Sequence, residues 1–275
     1  MIRRGRLARI ATYLALVVLC LLFASPVLWV AWTSLKRPVD AAALPPVWVF
    51  EPQWNNYVEA WTHRGFARAF LNTTVIGLGT VFVSTAAGVP MGYSLARSPI
   101  RGKEAIGTSI LVLRMLPEMI FLLPLYAIYR RVGLFDTWTG MVLAFQILTL
   151  PFAVWLLRGF ILQVPAELED AARVDGCSEW QMLWHVMLPL IVPGIVASAM
   201  FTFIVVWGAL LFPLALGYSR AETISVAIAN FRGYSNFEWP VMAAGSVIAT
   251  IPQILFFGFI QRHLVAGLTM GSVKG

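Results

Sequence analysis

Apolar residues along this chain fall into six long blocks separated by short polar connections. The first covers about 10–32, with no charge between Arg9 and Lys36. The second, 69–96, is also free of charge. The third covers about 105–129 and is interrupted by Arg114 and Glu118. The fourth covers 137–157, the fifth about 191–216 and the sixth 239–260. A helix rises 1.5 Å per residue, so roughly 20 residues cross a bilayer core of about 30 Å. Each block meets that length. The pattern predicts an all-α membrane protein of six transmembrane helices, one domain over 1–275, with both termini on one side. The first block has a basic start like a secretion signal's. A signal's apolar region, however, ends after about 7–15 residues, so the block reads as an uncleaved anchor.

Composition agrees. Hydrophobic residues make up 59% of the 275 and charged residues 12%, against about 45–50% and 25% in a soluble domain. The mean hydropathy is +0.79. A soluble enzyme of this size has no way to bury so much apolar surface, and six spans leave no room for a large extramembrane domain. The net charge of +7 would suggest nucleic acid in a soluble chain. Here the basic residues flank apolar blocks and report orientation instead. Eleven Lys and Arg fall on the side of the termini and eight on the other. Arg3, Arg4, Arg6 and Arg9 precede the first acid, Asp40. This asymmetry places both termini in the cytoplasm.

Several blocks carry helix breakers: Pro90, Pro117, Pro124, Pro151, Pro213 and Pro252. Kinked spans suit a transporter, where loosened backbone lines a cavity, and Gly and Pro are also commoner in membrane helices generally. The pair Gly88 and Gly92, four apart, marks close helix packing. The outer connections are rich in aromatics, including Trp48, Trp54, Tyr57 and Trp61 in the first and Tyr218, Phe231, Tyr234 and Phe237 in the third. Two readings stand together: an interfacial belt and a docking surface for an external partner.

Catalytic signatures are missing. His63, His185 and His263 lie far apart and form no zinc spacing; no phosphate-binding loop, nucleophile elbow or dinucleotide fingerprint occurs. Cys20 and Cys177 read as free thiols. The chain reads as a conduit or an anchor rather than a catalyst, with no cofactor of its own.

The longest inner connection, 164–189, is the most informative. Pro165 suits a first helical position. Glu167, Glu169 and Asp170 follow in the first turn, where the helix dipole favours acids. Gly176 can stop that helix in the left-handed conformation and Ser178 can cap the next. Two short helices pivoting on Gly176 are expected. Leu168, Ala171, Ala172 and Asp175 recur at helical spacing and form a mostly apolar stripe suited to a partner's groove. The alternative is a helical turn with structural meaning only.

Asp170-Ala171-Ala172, three residues, Gly176, nine residues, Val186, one residue, then Leu188-Pro189 resembles the EAA loop of ABC-importer permeases, Glu-Ala-Ala-x3-Gly-x9-Ile-x-Leu-Pro. Asp170 and Val186 are conservative departures. The resemblance implies a coupling helix that docks on an ATPase subunit, through Glu169, Asp170, Ala171, Ala172, Asp175, Gly176, Leu188 and Pro189. Asp170 is one methylene short of the family's Glu, and the adjacent Glu169 could substitute. The segments 133–137, 227–231 and 265–275 are similar to the second permease of carbohydrate importers of the maltose-transporter type. That similarity implies the type I ABC importer permease fold, a second homologous permease, two ATPases that carry ATP and Mg, an extracytoplasmic sugar-binding protein and a multi-pass position in the inner membrane.

Charged groups inside a span are costly and point to function or mutual pairing. Arg114 and Glu118 are four apart, hence on one face of a continuous helix. They either pair with each other or line the sugar path, with Glu118 accepting hydroxyls and Arg114 orienting the solute. Asn72, Gln146 and Gln253 are weaker path candidates that equally could glue helices. Tyr218, Phe231, Tyr234 and Phe237 are the candidate contacts for the binding protein. An anionic solute is the alternative substrate, resting on Arg114. An ion-coupled secondary transporter is the alternative from another class.

Overall fold

The computed structural model describes residues 6–62, 65–231 and 238–270. It is helical throughout, with no strand among the described residues. The helices group into two compact units, Met1–Phe66 with Ile228–Thr250, and Ala67–Ala227 with Ile251–Gly275.

The first unit contains α1 (Arg6–Thr33) and the short α2 (Asn55–Thr62). Most described side chains of α1 are exposed, as expected of a helix whose surroundings are lipid or another subunit. The connection beyond it is folded tightly. Asn56 donates through Nδ2 to the carbonyls of Ser34 and Lys36 at 2.8 and 2.9 Å. The Lys36 ammonium is buried over the rings of Trp29 and Phe50, at 5.3 and 5.4 Å.

The second unit holds α3 (Phe66–Arg97), α4 (Lys103–Arg114), α5 (Glu118–Val132), α6 (Trp138–Gln163), α7 (Ala166–Val174), α8 (Glu179–Leu190), α9 (Val192–Gly208), α10 (Leu211–Leu216) and most of α11 (Ile224–Ala229). The last helix, α12 (Trp239–Met270), begins in the first unit and continues into the second. The helix α6 is the axis of the second unit. One cluster of buried residues forms at its start, with Met141, Phe145 and Leu148 against Ile76, Val206 and Phe212. A second forms at its end, with Leu157 and Ile161 against Val89, Tyr93, Met187 and Ile191. So α3 runs parallel to α6, and α9 runs antiparallel to it. The Gly88/Gly92 pair explains how closely α3 approaches: a Cβ on Gly92 would sit 3.1 Å from the Arg158 nitrogen and 3.3 Å from the Val154 carbonyl oxygen.

Among the described residues four helices are long and apolar enough to cross a membrane, and the number reaches six if each of two bent helix pairs is one span. The third and fifth blocks therefore differ from the continuous spans expected. In the third, α4 stops at Arg114 and α5 starts at Glu118 after an 85° bend. Pro117 supplies the reason: it has no N–H to continue the helix, it disfavours the helical region at the residue before it, and it is itself extended, with ψ 135°. In the fifth, α8 and α9 meet at a 77° bend around Ile191, flanked by Pro189 and Pro193. The helical run then breaks again between Gly208 and Leu211.

Candidate functional site

At the end of α6 the chain turns into the loop 164–189. Its first helix, α7, ends as the glycine predicts. Gly176 has φ +84°, its N–H bonds the Arg173 carbonyl, and the Cys177 N–H reaches back to Ala172, both at 3.0 Å. Those two bonds are the left-handed helix stop that satisfies orphan carbonyls. Ser178 then caps α8, in a reciprocal pair with Gln181.

Burial divides α7 in two. Leu168, Ala171, Val174 and Asp175 are exposed, and Val174 is 88% exposed. Glu169 and Ala172 face inward. The expected stripe therefore loses Ala172 and gains Val174. Asp170 stays on the outside and pairs with Arg173 at 3.0 Å. Glu169 is not placed to substitute for it on that face. Its carboxylate, 2% exposed, accepts from Arg97 Nε through Oε1 and from the Tyr93 hydroxyl through Oε2, the latter at 3.1 Å. Arg97 Nη2 also donates to the carbonyls of Ile161 and Val164, at 3.1 and 2.6 Å. One guanidinium thus joins the ends of α3 and α6 to α7. Leu188 is half-buried and Pro189 exposed, in the last turn of α8 before the bend. Sequence reasoning missed Tyr93 and Arg97. The only local signal was a basic residue in a final helical turn.

The opposite end of α6 lies about 39 Å away, from its 26 residues. There Asp136 occupies the left-handed region, φ 56°. Its Oδ1 accepts the backbone N–H groups of Tyr218, Ser219, Arg220 and Ala221 at 2.9–3.0 Å. Its Oδ2 accepts the Ser219 hydroxyl and the Arg220 N–H, both at 3.0 Å. Partial burial pushes this carboxyl up, but the N–H donors of Ala221, Arg220 and Ser219 together outweigh that and hold it below the usual carboxylate range. The same loop is pinned from α3. Asn72 donates to the Arg220 and Glu222 carbonyls at 2.9 Å and accepts from Trp138 Nε1 at 2.9 Å. Thr73 accepts the Ile224 N–H at 2.8 Å. Tyr218 is left 82% exposed at the tip.

The path candidates separate. Asn72, 1% exposed, spends its amide on that loop. Gln146 accepts from Ser84 at 2.7 Å and donates to the Val142 carbonyl at 3.0 Å, gluing α3 to α6. Arg114 and Glu118 do not share a helix face, because the helix breaks between them. Among the described residues no carboxylate pairs with Arg114. Its guanidinium lies over the rings of Phe152 and Phe201, at 4.7 and 4.5 Å. Gln253 is half-buried on α12. Phe231, 2% exposed, packs on Phe66 at 5.8 Å inside the first unit, because an isolated ring gains more by burial than by facing water. Tyr234 and Phe237 lie outside the described residues.

Residues 88–270 match the family described as "Binding-protein-dependent transport system inner membrane component". The chain is 39% identical over 256 residues to the trehalose transport system permease protein SugB of Mycobacterium tuberculosis, covering 91% of this chain and 92% of that one. It is 29% identical over 252 residues to the sulfoquinovosyl glycerol transport system permease protein SmoH of Agrobacterium fabrum, covering 91% and 88%. Among solved structures, a chain of a bacterial ABC transporter that imports the acidic polysaccharide alginate superposes with a TM-score of 0.76 at 21% identity, covering 95% of this chain and 99% of the other. That likeness shows a shared fold, the type I importer permease fold. With two thirds of its length inside one family and full-length relatives that are permeases, this chain belongs to the inner membrane components of binding-protein-dependent ABC transport systems: a multi-pass permease subunit, not an enzyme.

Proposed function

We propose that this permease forms half of the translocation path for a sugar, a di- or oligosaccharide or a polyol, in an ATP-driven importer. The whole chain acts as one permease domain with both termini cytoplasmic. It pairs with a second homologous permease, and two ATPases bind ATP and Mg. One of them receives α7 in a groove against the exposed face of Leu168, Ala171, Val174 and Asp175. A binding protein delivers the sugar at the opposite end of α6, against Tyr218. The observation that carries this reading is the division of α7, one face clamped to α3 and α6 and the other left bare. A helix held that way transmits a push to two spans at once. Its exposed apolar residues suit a partner's groove. The 39% identity to a trehalose permease supports the sugar.

The test is ATP hydrolysis by the purified complex with its binding protein, across neutral and anionic glycosides. Stimulation by a neutral di- or oligosaccharide is expected. Asp170→Lys or a bulky residue at Gly176 should cut that stimulation; unchanged stimulation in both would remove the coupling assignment. Arg114 favours a second reading, an anionic solute. It has no carboxylate partner among the described residues, and a relative is named for a sulfonated glycoside. Stimulation by anionic solutes alone, abolished by Arg114→Ala and by Glu118→Ala while assembly survives, would establish it.

A further inference from the structure

Two cavities of the second unit adjoin. One is an apolar groove of about 620 Å³ between α3, α8 and α9, floored by Val81, Thr85, Ala86 and Val89. The other is a polar pocket of about 350 Å³ around Ser94, Arg97, Ser98, Arg173 and Glu179. They share Pro90, Trp180 and Leu183, so they form one continuous depression with an apolar shaft and a charged mouth. The shaft follows α3 over residues 78–90, about 18 Å of helix. One leaflet of a bilayer core is about 15 Å deep. Phe82 and Leu78 on its rim are 73% and 51% exposed. Trp180 and Trp184, one turn apart, are 65% and 57% exposed beside the mouth, where aromatic side chains mark the membrane interface.

The mouth offers both signs. Arg97 commits Nε and Nη2 to protein acceptors, and Nη1 has none among the described residues. Among the described residues the Ser94 and Ser98 hydroxyls meet only each other, at 3.4 Å. The Glu179 side chain is 65% exposed; its Oε1 already meets Arg173 Nε at 3.3 Å and its Oε2 accepts from the Tyr93 hydroxyl at 3.2 Å, so an arriving ammonium shares the carboxylate with these donors on its open side. A phosphate would suit the guanidinium and hydroxyls, and an ammonium able to donate hydrogen bonds would suit the carboxylate. We propose that this depression binds one phospholipid of the inner leaflet with an ethanolamine headgroup: an acyl chain in the shaft, the phosphate on Arg97 Nη1, Ser94 and Ser98, and the ammonium on Glu179. Phosphatidylcholine has no N–H to offer Glu179, and phosphatidylglycerol has no cation. The proposal rests on the orientation given above, which puts the mouth at the cytoplasmic surface. A lipid wedged there touches α3, α8 and the back of α7, the elements that move when an ATPase pushes.

The complex is purified from nanodiscs holding equal parts of phosphatidylethanolamine, phosphatidylcholine and phosphatidylglycerol, and native mass spectrometry counts the lipids retained per copy of this chain. One phosphatidylethanolamine is expected, in several-fold preference over the other two. Ala86→Trp, which fills an exposed wall of the shaft, should remove it. Glu179→Gln should keep a lipid but level the preference. Equal retention of the three lipids, or retention unchanged in Ala86→Trp, would overturn the proposal. So would quantitative cross-linking of Phe82→Cys to the second permease, which would make the shaft a subunit interface. Stimulated ATP hydrolysis is read on the same samples. Its absence from the wild type counts against the transport reading and leaves the lipid count standing.

Discussion

At one end of α6, Arg97 joins three helices through a carboxylate buried beneath it. At the other end, Asp136 joins a loop to the same helix through four consecutive backbone N–H groups. The first device ties elements that already satisfy their own backbone. It fixes how α7 sits without adding to its helix, and it leaves the outer face free. The second device replaces a missing hydrogen-bond ladder. Residues 218–221 have no regular structure, and unpaired N–H groups at a half-buried site are expensive. One carboxylate answers all four and holds Tyr218 out. On the proposed reading α7 moves and therefore needs a stiff joint with a bare face, whereas the Tyr218 loop docks a partner and needs its shape settled beforehand.

The largest effect should come from Arg97→Ala. It leaves a carboxylate that is 2% exposed with only the Tyr93 hydroxyl and an Arg173 guanidinium 3.9 Å away, and losing the near partner of such a buried pair costs about 3 kcal/mol, the low end of the range. Melting of the purified complex should fall sharply, and the ATPases should no longer co-purify. Pairing Arg97→Met with Glu169→Leu should restore most of the stability, since an apolar pair of similar size avoids the stranded charge. If Arg97→Ala melts like the wild type, the joint is not what holds α7.

Next in size, Asp136→Ala should cost about 2 kcal/mol, the scale of a hydrogen bond to a charged group at a half-buried site. It should raise hydrogen exchange over 218–221 and spare the loop 164–189. The carboxyl of Asp136 is depressed in the fold, so its contribution is fully present above the unfolded value of about 3.9 and is lost as pH falls through the folded one. Protection from exchange at 218–221, taken relative to the intrinsic rate at each pH, should fall on acidification below about pH 4, and Asp136→Asn should flatten that dependence. An identical pH response in the Asn variant would assign the titration to another group.

A smaller cost, about 1 kcal/mol, is expected for Gly176→Ala. No atom lies within 4 Å of the added Cβ, so the penalty is the positive φ alone. Asn, which tolerates that region, should sit between the two. Stimulated ATP hydrolysis should decline in the order Gly, Asn, Ala. The smallest effect on stability is expected for Arg114→Met, which belongs to neither end and loses stacking worth about 0.5–1 kcal/mol. Neutral-glycoside stimulation should survive it, and any anionic-solute stimulation should not.

The contrast between the ends also shows what could be read in advance. Gly176 and Ser178 were legible because a helix stop and a cap are local: each needs one residue type at one position. The Gly88/Gly92 packing face was legible for the same reason. The break at Pro117 was visible as a proline, but its size was not. A proline removes one hydrogen bond, and the neighbouring packing decides whether the helix kinks or turns through 85°. That uncertainty undid the expectation that Arg114 and Glu118 share a face. Phe231 failed differently. An aromatic in an outer connection is equally suited to a belt, an interface or a core, and only its neighbours choose.

The sequence by itself determined the class. Six apolar blocks of bilayer length and few charges leave a multi-pass membrane protein, and the resemblance of the long loop to the EAA motif implies a permease, because hydrophobic length, helix punctuation and motif spacing are properties of contiguous residues. Only the tertiary structure decided which polar side chains are structural and which stand free. Arg97 meets Glu169 across 72 residues, and Asp136 meets Tyr218 across 82. No local pattern encodes such a pairing. A polar group within an apolar surrounding takes whichever partner the packing of helices brings within hydrogen-bond reach, and that choice is settled by the whole fold at once.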